Sequence, residues 1–289
     1  MTGARVIGVD LGGTKIHAGL VDGDGQVERS LDRATPVESQ ESLLAAIVEM
    51  VRELKTPDVA AVGIGVPARV DQRTGGVLGA VNIPLHDLNF RAEMREWLGL
   101  PVSVDNDASA AALAEHRAGA GRGTSELVLL TLGTGVGGGV VTGGRLYRGW
   151  AELGHLVIVE DGDPCQGACT GRGHVESYCS GAAADRIAQR VLGPEATAHD
   201  LVEQRHPALA ELGRHLGTAI ASVVNAFGPE VVVVGGGFGV GAFELLLEPA
   251  REVIRREALP SAGEVPVVRA ELGVEAGMIG AALTARDAL

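Results

Sequence analysis

One pattern occurs twice in the chain and restricts the fold more than any other feature. An apolar strand, a Gly/Thr loop, a second strand and a tight glycine turn follow one another in "ARVIGVDLGGTKIHAGLVDGDGQV" from Ala4, and again in "ELVLLTLGTGVGGGVVTGGRLY" from Glu126. Repetition at this scale indicates an internal duplication. With 289 residues the chain is long enough for two domains of ordinary size. We therefore expect two related halves with a cleft between them.

Helix and strand patterns alternate after each copy of the repeat. In the first half the patterns predict helices over 43–54, 90–98 and 108–118 and strands over 59–66 and 102–104. In the second half they predict helices over 179–192, 208–227, 243–257 and from 278, and strands over 230–234 and 265–268. Three antiparallel strands followed by such alternation predict an α/β layout with a mixed sheet in each half.

The predicted domains follow from this order of elements. We expect a small N-terminal domain over 1–118, joined by a C-terminal helix over 276–289, and a large domain over 119–275. The glycine-rich stretch 119–124 is predicted to be a hinge between them. A formal net charge of -13 argues against a nucleic-acid or anionic-membrane partner. No signal peptide and no apolar run of about 18 residues is visible, so a cytoplasmic protein is expected.

The glycine loops raise the question of what they bind. A Walker A loop and a dinucleotide fingerprint both place a helix after the glycines, whereas the first loop and the loop at 133–138 run into strands. The loop of Gly235, Gly236 and Gly237 does lie between a strand and a helix, which makes it the better nucleotide candidate. A plain strand-to-helix turn is the alternative there. A Rossmann dehydrogenase is disfavoured because no suitable acidic residue ends a strand about 20 positions beyond the glycines.

Two further groups of residues have a structural and a functional interpretation. His155, Cys165, Cys169 and His174 offer four nitrogen or sulfur ligands, the number and type of a closed Zn²⁺ site, and the alternative is free cysteines with surface histidines. Asp107 opens an alanine-rich helix, where an aspartate is by default an N-cap. Its position at the carboxyl end of a strand favours a ligand site instead.

Several motifs together resemble those of the ROK family of repressors and sugar kinases. They are "DLGGTK" at 10–15, "VDNDA" at 104–108, "LGTGVG" at 132–137, "ELGH" at 152–155 and a cysteine-rich segment that ends in Glu176. The resemblance covers nearly the whole chain. It implies an actin-like ATPase and hexokinase fold, related to ribonuclease H, with duplicated domains around a cleft. It also implies a cytoplasmic sugar kinase that forms a homodimer or a higher homo-oligomer.

The resemblance further implies roles for individual residues. Both hairpin loops would bind the phosphates of ATP, with Asp10 facing Mg²⁺ through water, Lys15 nearby and the adenosine at the loop 235–237. Asp107 would be the base for the sugar hydroxyl. The remaining implied residues are, for phosphate, Gly12, Gly13, Thr14, Gly133, Thr134 and Gly135, and, for the sugar, Asn82, Asn106, Glu152, His155 and Glu176. The family usually has a third cysteine where His174 stands, so the zinc ligand set here would be two histidines and two cysteines.

The implied reaction is transfer of the ATP γ-phosphoryl group to a hexose, with glucose as the first choice and N-acetylmannosamine or N-acetylglucosamine as the alternative. ATP and polyphosphate both stay open as donors. A sugar-responsive repressor of this family would carry a DNA-binding domain ahead of Asp10, and only nine residues precede it. That function is therefore a distant alternative.

Overall fold

The computed structural model describes residues 3–23, 25–79, 83–86, 88–167 and 169–289. The chain divides into two compact units. The first contains Met1–Ala118, Arg148–Trp150 and Val274–Leu289, and the second contains Gly119–Tyr147 and Ala151–Gly273. Within the described ranges, no helix combines the length and the apolar character that a membrane span requires.

The first unit is built on a five-stranded sheet with the order β3-β2-β1-β4-β7. Its strands are β1 (Arg5–Leu11), β2 (Lys15–Val21), β3 (Val27–Ala34), β4 (Val59–Val66) and β7 (Val102–Asn106), and β5 (Arg69–Asp71) and β6 (Gly76–Leu78) form a separate hairpin. Its helices are α1 (Gln40–Leu54), α2 (Phe90–Leu98), α3 (Asp107–Ala118) and α9 (Ala276–Asp287). Strands β1, β2 and β3 are antiparallel, and β1, β4 and β7 are parallel.

The second unit repeats this arrangement with the order β10-β9-β8-β11-β12. Its strands are β8 (Leu127–Leu132), β9 (Val136–Thr142), β10 (Arg145–Leu146), β11 (Val231–Gly235) and β12 (Val267–Arg269). Its helices are α4 (Val175–Cys179), α5 (Gly181–Leu192), α6 (Ala198–Glu203), α7 (Leu209–Phe227) and α8 (Gly237–Glu257), with short 3-10 helices at Leu153–His155 and Gly273–Glu275. The predicted α/β class with a mixed sheet in each half is confirmed.

Each unit has its own hydrophobic core. Helix α1 shows how the sequence directs the first core, because its buried residues recur at helical spacing and the Ser39 side chain caps its first turn by accepting from Ser42 N. Helix α9 is different, since it is buried on nearly every side and packs on α3, β1 and β4. The last helix of the chain thus completes the core around the first strand.

Two differences from the predicted helix boundaries have a clear structural cause. The single helix expected over 179–192 is divided at Ser180, whose hydroxyl oxygen accepts from Ala183 N and so caps α5. Helix α8 begins at Gly237, six residues before the predicted start at Phe243. Its first turns contain three glycines, which are poor helix formers, but Gly239 and Ala242 are buried against the sheet, and this packing outweighs the local preference.

Candidate functional site

The first glycine loop, residues 12–14, connects β1 to β2, and two of its carbonyl groups accept hydrogen bonds from Thr35. Gly12 O accepts from the Thr35 hydroxyl at 2.7 Å, and Thr14 O accepts from Thr35 N at 3.0 Å. Within the part of the chain that the structure describes, the N–H groups of Gly13 and Thr14 donate to no acceptor. Unpaired N–H groups in a tight loop form a concavity suited to an anion.

Lys15 and Asp10 lie at the two ends of this loop. The Lys15 ammonium is paired with Asp32 Oδ1 at 3.1 Å, and the same oxygen is 2.6 Å from His17 Nδ1. Asp10 is partly buried and lies against Gly277 at the start of α9, where a side chain would collide with its carboxylate. Burial and, to a smaller extent, the Asp107 charge raise the pKa of Asp10 to about 7, and Lys15 acts in the opposite direction.

The segment 105–107 joins β7 to α3. The helix is capped by Asn106 rather than by Asp107, because Asn106 Oδ1 accepts from Ser109 N at 3.0 Å. The default structural role that the sequence suggested for Asp107 is thus filled by its neighbour. Asp107 is the first helical residue, and its Oδ1 accepts from Ala108 N at 2.8 Å. Asn106 also donates from Nδ2 to Ala68 O at 3.4 Å.

Asp105, the first residue of this segment, is buried, and its carboxylate binds Arg148, which is distant in sequence. Its Oδ2 is 2.9 Å from Arg148 Nη1, and its Oδ1 accepts from Gln72 Nε2 at 3.0 Å and from Asn106 N at 2.9 Å. Burial raises the pKa of Asp105, and Arg148 acts in the opposite direction. Trp150, two residues further on, stacks beneath the Arg69 guanidinium at 4.8 Å. Segment 148–150 is thereby anchored on the first unit.

The second glycine loop, residues 133–136, follows β8, includes the first residue of β9 and repeats the features of the first loop. Gly133 O accepts from Gly181 N at 2.7 Å, Gly135 O from Gly133 N at 2.9 Å, and Thr134 O from Gln166 Nε2 at 3.0 Å. As far as the described residues extend, the N–H groups of Thr134 and Gly135 donate to no acceptor. Both copies of the repeat therefore present backbone donors, while two carbonyls of the first loop and three of the second accept hydrogen bonds from the protein.

Glu176, on the first turn of α4, lies beside this second loop. Its Oε2 accepts from Val136 N at 3.0 Å, and its Oε1 is 3.5 Å from Cys165 Sγ. Glu152, which is partly buried, directly precedes the short helix that ends at His155. His155 is exposed. The three residues predicted to contact a sugar from this half of the sequence thus all belong to the second unit.

The four predicted metal ligands come together in the second unit. The Nδ1 atoms of His155 and His174 are 3.3 Å apart, Cys165 Sγ is 3.8 Å from His155 Nδ1, and Cys169 Sγ is 3.7 Å from His174 Nδ1. One ligand atom from each residue lies within 4.8 Å of the others.

These distances can be compared with those of a zinc site. A tetrahedral Zn²⁺ with Zn–N of about 2.0–2.1 Å and Zn–S of about 2.3 Å holds its ligand atoms roughly 3.3–3.8 Å apart. Burial raises the pKa of the Cys165 thiol to about 12, so that thiol is protonated without a metal and loses its proton on binding one. The donor set fits zinc, and so do the three measured distances between ligand atoms.

The third glycine loop joins β11 to α8. Gly235 ends the strand, Gly236 precedes the helix and Gly237 is its first residue. This is the strand, turn and helix order that distinguishes it from the other two loops, and it belongs to the second unit. Asn82, predicted to contact the sugar, lies outside the described residues.

Three residues with a place in these sites were missed by the sequence reasoning. Thr35, Arg148 and Gln166 each act on a loop through a hydrogen bond to a backbone or carboxylate oxygen. Gln166 offered one signal, because it lies in the widened spacing between Cys165 and Cys169. Thr35 and Arg148 offered none, since both are far in sequence from the groups they hold.

Two sheets of the same strand order, each with a glycine hairpin that presents backbone N–H groups, define a protein of the actin-like ATPase and hexokinase fold class. Comparisons with known proteins narrow this class. Residues 6–288 match the profile of the ROK family. The chain belongs to that family, as its motifs predicted.

Known sequences and structures include many similar proteins, among them the following three. A glucokinase of Streptomyces coelicolor is 35% identical, with 97% of each chain covered. An N-acetyl-D-glucosamine kinase of Photobacterium profundum is 30% identical, with 95% of this chain and 97% of that protein covered. The crystal structure of a ROK family glucokinase from Streptomyces griseus in complex with glucose and AMPPNP is 36% identical and superposes with a TM-score of 0.84 over 98% of this chain and 99% of that one.

Proposed function

We propose that this chain is an ATP-dependent hexose kinase that transfers the γ-phosphoryl group of ATP to the 6-hydroxyl of a hexose, with glucose as the first candidate. The observation that supports this most is the pair of hairpin loops with unpaired N–H groups, one in each unit, accompanied by Asp107 at the start of α3. Phosphoryl transfer depends mainly on positioning and on charge stabilisation, and these groups supply both.

The two loops are proposed to bind the phosphates of ATP. The net charge of -13 repels an anion, so attraction has to come from local donors. Such donors are the unpaired N–H groups of Gly13, Thr14, Thr134 and Gly135. Carbonyl groups in the same loops accept hydrogen bonds from the protein. Lys15, at the end of the first loop, adds a positive charge. The loop 235–237 is proposed to hold the adenosine.

Asp10 is proposed to hold Mg²⁺ through water. Its carboxylate is partly buried close to a second carboxylate, Asp107, and both effects raise its pKa, so a divalent cation would stabilise its ionised form. Bound Mg²⁺ would neutralise charge on the phosphates. Because Gly277 has no side chain, the Asp10 carboxylate has room to occupy this position.

Asp107 is proposed to accept the proton of the sugar hydroxyl. It stands where a parallel strand ends and a helix begins, which is the usual place for ligands in α/β proteins. Asn106 caps the helix with its carbonyl oxygen, and Ala68 O takes one of its two amide hydrogens. The second amide hydrogen is proposed to bind a sugar hydroxyl, together with Asn82.

Glu152, His155 and Glu176 are proposed as the other sugar contacts. Zinc on His155 Nδ1 would fix the ring and its tautomer, leaving Nε2 for the sugar. The zinc is structural in this proposal, because four protein ligands close its coordination shell. Loss of the metal would then weaken sugar binding without removing any group that takes part in the chemistry.

A kinase for an N-acetylated hexosamine is the second candidate, and the relative from Photobacterium profundum with that name supports it. The two candidates share the mechanism and differ only at the sugar 2-position. A homodimeric or higher oligomeric state and a cytoplasmic location are also proposed. Light scattering of the purified protein measures the oligomeric state.

The test is ADP release from MgATP with glucose, mannose, fructose, glucosamine, N-acetylglucosamine and N-acetylmannosamine, each compared as kcat/KM with a sugar-free control. Polyphosphate replaces ATP in a parallel series. The highest kcat/KM with glucose and ATP is the expected result. The highest value with an N-acetylated sugar would select the second candidate, and no turnover with any sugar by zinc-loaded protein would refute a kinase function.

A further inference from the structure

The loop at 133–136, named here the second phosphate loop, is braced by the segment that carries the His/Cys cluster. Gln166 Nε2 donates to Thr134 O at 3.0 Å, and Glu176 Oε2 accepts from Val136 N at 3.0 Å. These two bonds fix one carbonyl and one N–H of a four-residue loop. The N–H groups of Thr134 and Gly135, which can meet a phosphate, lie next to these two bonds.

Both bracing residues lie close in sequence to ligands of the His/Cys cluster. Gln166 directly follows Cys165, and Glu176 comes two residues after His174. Glu176 also contacts the cluster itself, since its Oε1 is 3.5 Å from Cys165 Sγ. Any ion that fixes the backbone of Cys165 and His174 therefore restricts the two side chains that hold the second phosphate loop.

The first phosphate loop, residues 12–14, is braced by a residue next to a strand, whereas the second loop is braced by the cluster segment. There the bracing residue is Thr35, which follows directly on β3 and binds Gly12 O and Thr14 O. Strand β3 has eight residues and reaches back to the loop, with Ala34 opposite Lys15. Its counterpart β10 has two residues and pairs only with Thr142 and Val141, at the far end of β9.

In the part of the chain that the structure describes, the second loop thus has no third strand beside it and is held by Gln166 and Glu176 instead. Gly135 allows both side chains to approach. A Cβ at that position would overlap Glu176 Oε2 and lie 3.5 Å from Gln166 Nε2. The loop and the cluster segment therefore pack closely together at position 135, where only glycine is small enough.

We propose that metal binding at the His/Cys cluster sets the affinity of the enzyme for ATP, acting through Gln166 as a positioning residue for the second phosphate loop. This rests on the proposed kinase function and adds to it, because the cluster was assigned above only to the sugar side. With the cluster filled, Thr134 O stays bonded and the N–H groups of Thr134 and Gly135 stay directed at the phosphates. Without the metal, the brace loosens and the loop has to be ordered when ATP binds.

The first experiment measures hydrogen exchange on the wild-type protein with zinc and after removal of zinc by a chelator, without substrates. Exchange in the peptide that contains 133–136 should become at least about threefold faster without zinc, since the two bracing bonds are weakened. The peptide that contains 12–15 is an internal control and should not change, because Thr35 braces it independently. Equal exchange of the second loop in both metal states would overturn the proposal.

The second experiment compares Gln166→Ala with Thr170→Ala, an exposed position in the same segment. Zinc content is measured first. Loss of one hydrogen bond should raise the KM for ATP and the Kd for AMPPNP by about three- to tenfold in Gln166→Ala, while the KM for the sugar stays within about twofold. Thr170→Ala should match the wild type. Zinc removal should weaken AMPPNP binding by the wild type more than by Gln166→Ala.

The outcomes separate this proposal from the proposed function. If the wild type neither binds AMPPNP nor phosphorylates a sugar, the kinase function fails. If it does both and Gln166→Ala behaves as the wild type in both metal states, the kinase function stands and the positioning role fails. If Gln166→Ala loses zinc or does not fold, hydrogen exchange on the wild type decides the question.

Discussion

Replacing Arg148 by alanine tests the ion pair that anchors segment 148–150 on the first unit. The side chain of Asp105 is 7% exposed and that of Arg148 is 56% exposed, with 2.9 Å between Oδ2 and Nη1. Removal of Arg148 leaves a buried carboxylate whose donors among the described residues are Gln72 Nε2 and Asn106 N. We expect the first unit to lose stability.

The expected magnitude follows from the exposure of the two partners. Breaking a fully buried ion pair costs about 3–5 kcal/mol because a charge is left without compensation in a poorly solvated site. About half of Arg148 is in water, where screening weakens the pair, and two donors to Asp105 stay in place. We therefore expect Arg148→Ala to lower the free energy of unfolding by about 2 kcal/mol at pH 7.5. In an Asp105→Asn background the same change should cost less than about 0.5 kcal/mol.

The dependence on pH follows from the direction of the pKa shift. Burial raises the pKa of Asp105 in the folded protein, so its ionisation destabilises the fold as pH rises through that pKa. Arg148 lowers the pKa, and its removal raises the pKa further. The difference between the wild type and Arg148→Ala should therefore be largest at pH 7.5 and should shrink as the solution is acidified and the carboxyl group becomes protonated.

Urea unfolding followed by tryptophan fluorescence is a suitable assay. The chain contains two tryptophans, Trp97 and Trp150, and both belong to the first unit, so the signal reports on the unit that carries the ion pair. Arg145→Ala, an exposed arginine of the second unit, is the matched control and should leave the signal unchanged. A loss below about 0.5 kcal/mol at pH 7.5, or a loss that grows on acidification, would refute the reasoning.

Three further predictions concern the proposed sites. Asp107→Asn should lower kcat by about 10²- to 10⁴-fold while the Kd for glucose stays within about threefold, and a kcat loss below about tenfold would rule Asp107 out as the base. Cys169→Ser should weaken zinc binding by more than about tenfold, measured by metal analysis, and should weaken glucose binding with it, whereas metal-free wild-type protein with full activity would contradict the zinc proposal. Gly135→Ala should raise the KM for ATP more than Gly133→Ala does, because a Cβ overlaps Glu176 at position 135 and meets no atom within 4 Å at position 133, and equal effects would count against the observed loop packing.

Much of the fold is readable from the sequence because its signals are local. The repeated strand, loop and strand pattern predicts both antiparallel hairpins, and the helical spacing of apolar residues from Leu43 to Leu54 predicts α1. The mixed sheets follow from the alternation of elements. The start of α8 does not, since glycines at 237, 239 and 241 indicate a loop by propensity, and the burial of Gly239 and Ala242 against the sheet favours the helix instead.

The candidate site likewise has features that the sequence predicts and features that it does not. Asp10, Asp107, the two glycine loops and the four residues of the His/Cys cluster are recognisable in the sequence because residue type and spacing carry the chemical signal. The assignment of the α3 cap is not recognisable, since Asn106 and Asp107 are both good cap residues and only the path of the turn selects Asn106.

The sequence by itself therefore determined the family, the duplicated α/β architecture and the types of groups available for binding phosphate, sugar and metal. Only the tertiary structure decided what holds those groups in place: Thr35 on the first loop, Gln166 and Glu176 on the second, and Arg148 on Asp105. The physical reason is that motifs are written in residues close in sequence, whereas a carbonyl or carboxylate is held by whichever donor the packing of distant segments brings within hydrogen-bond distance.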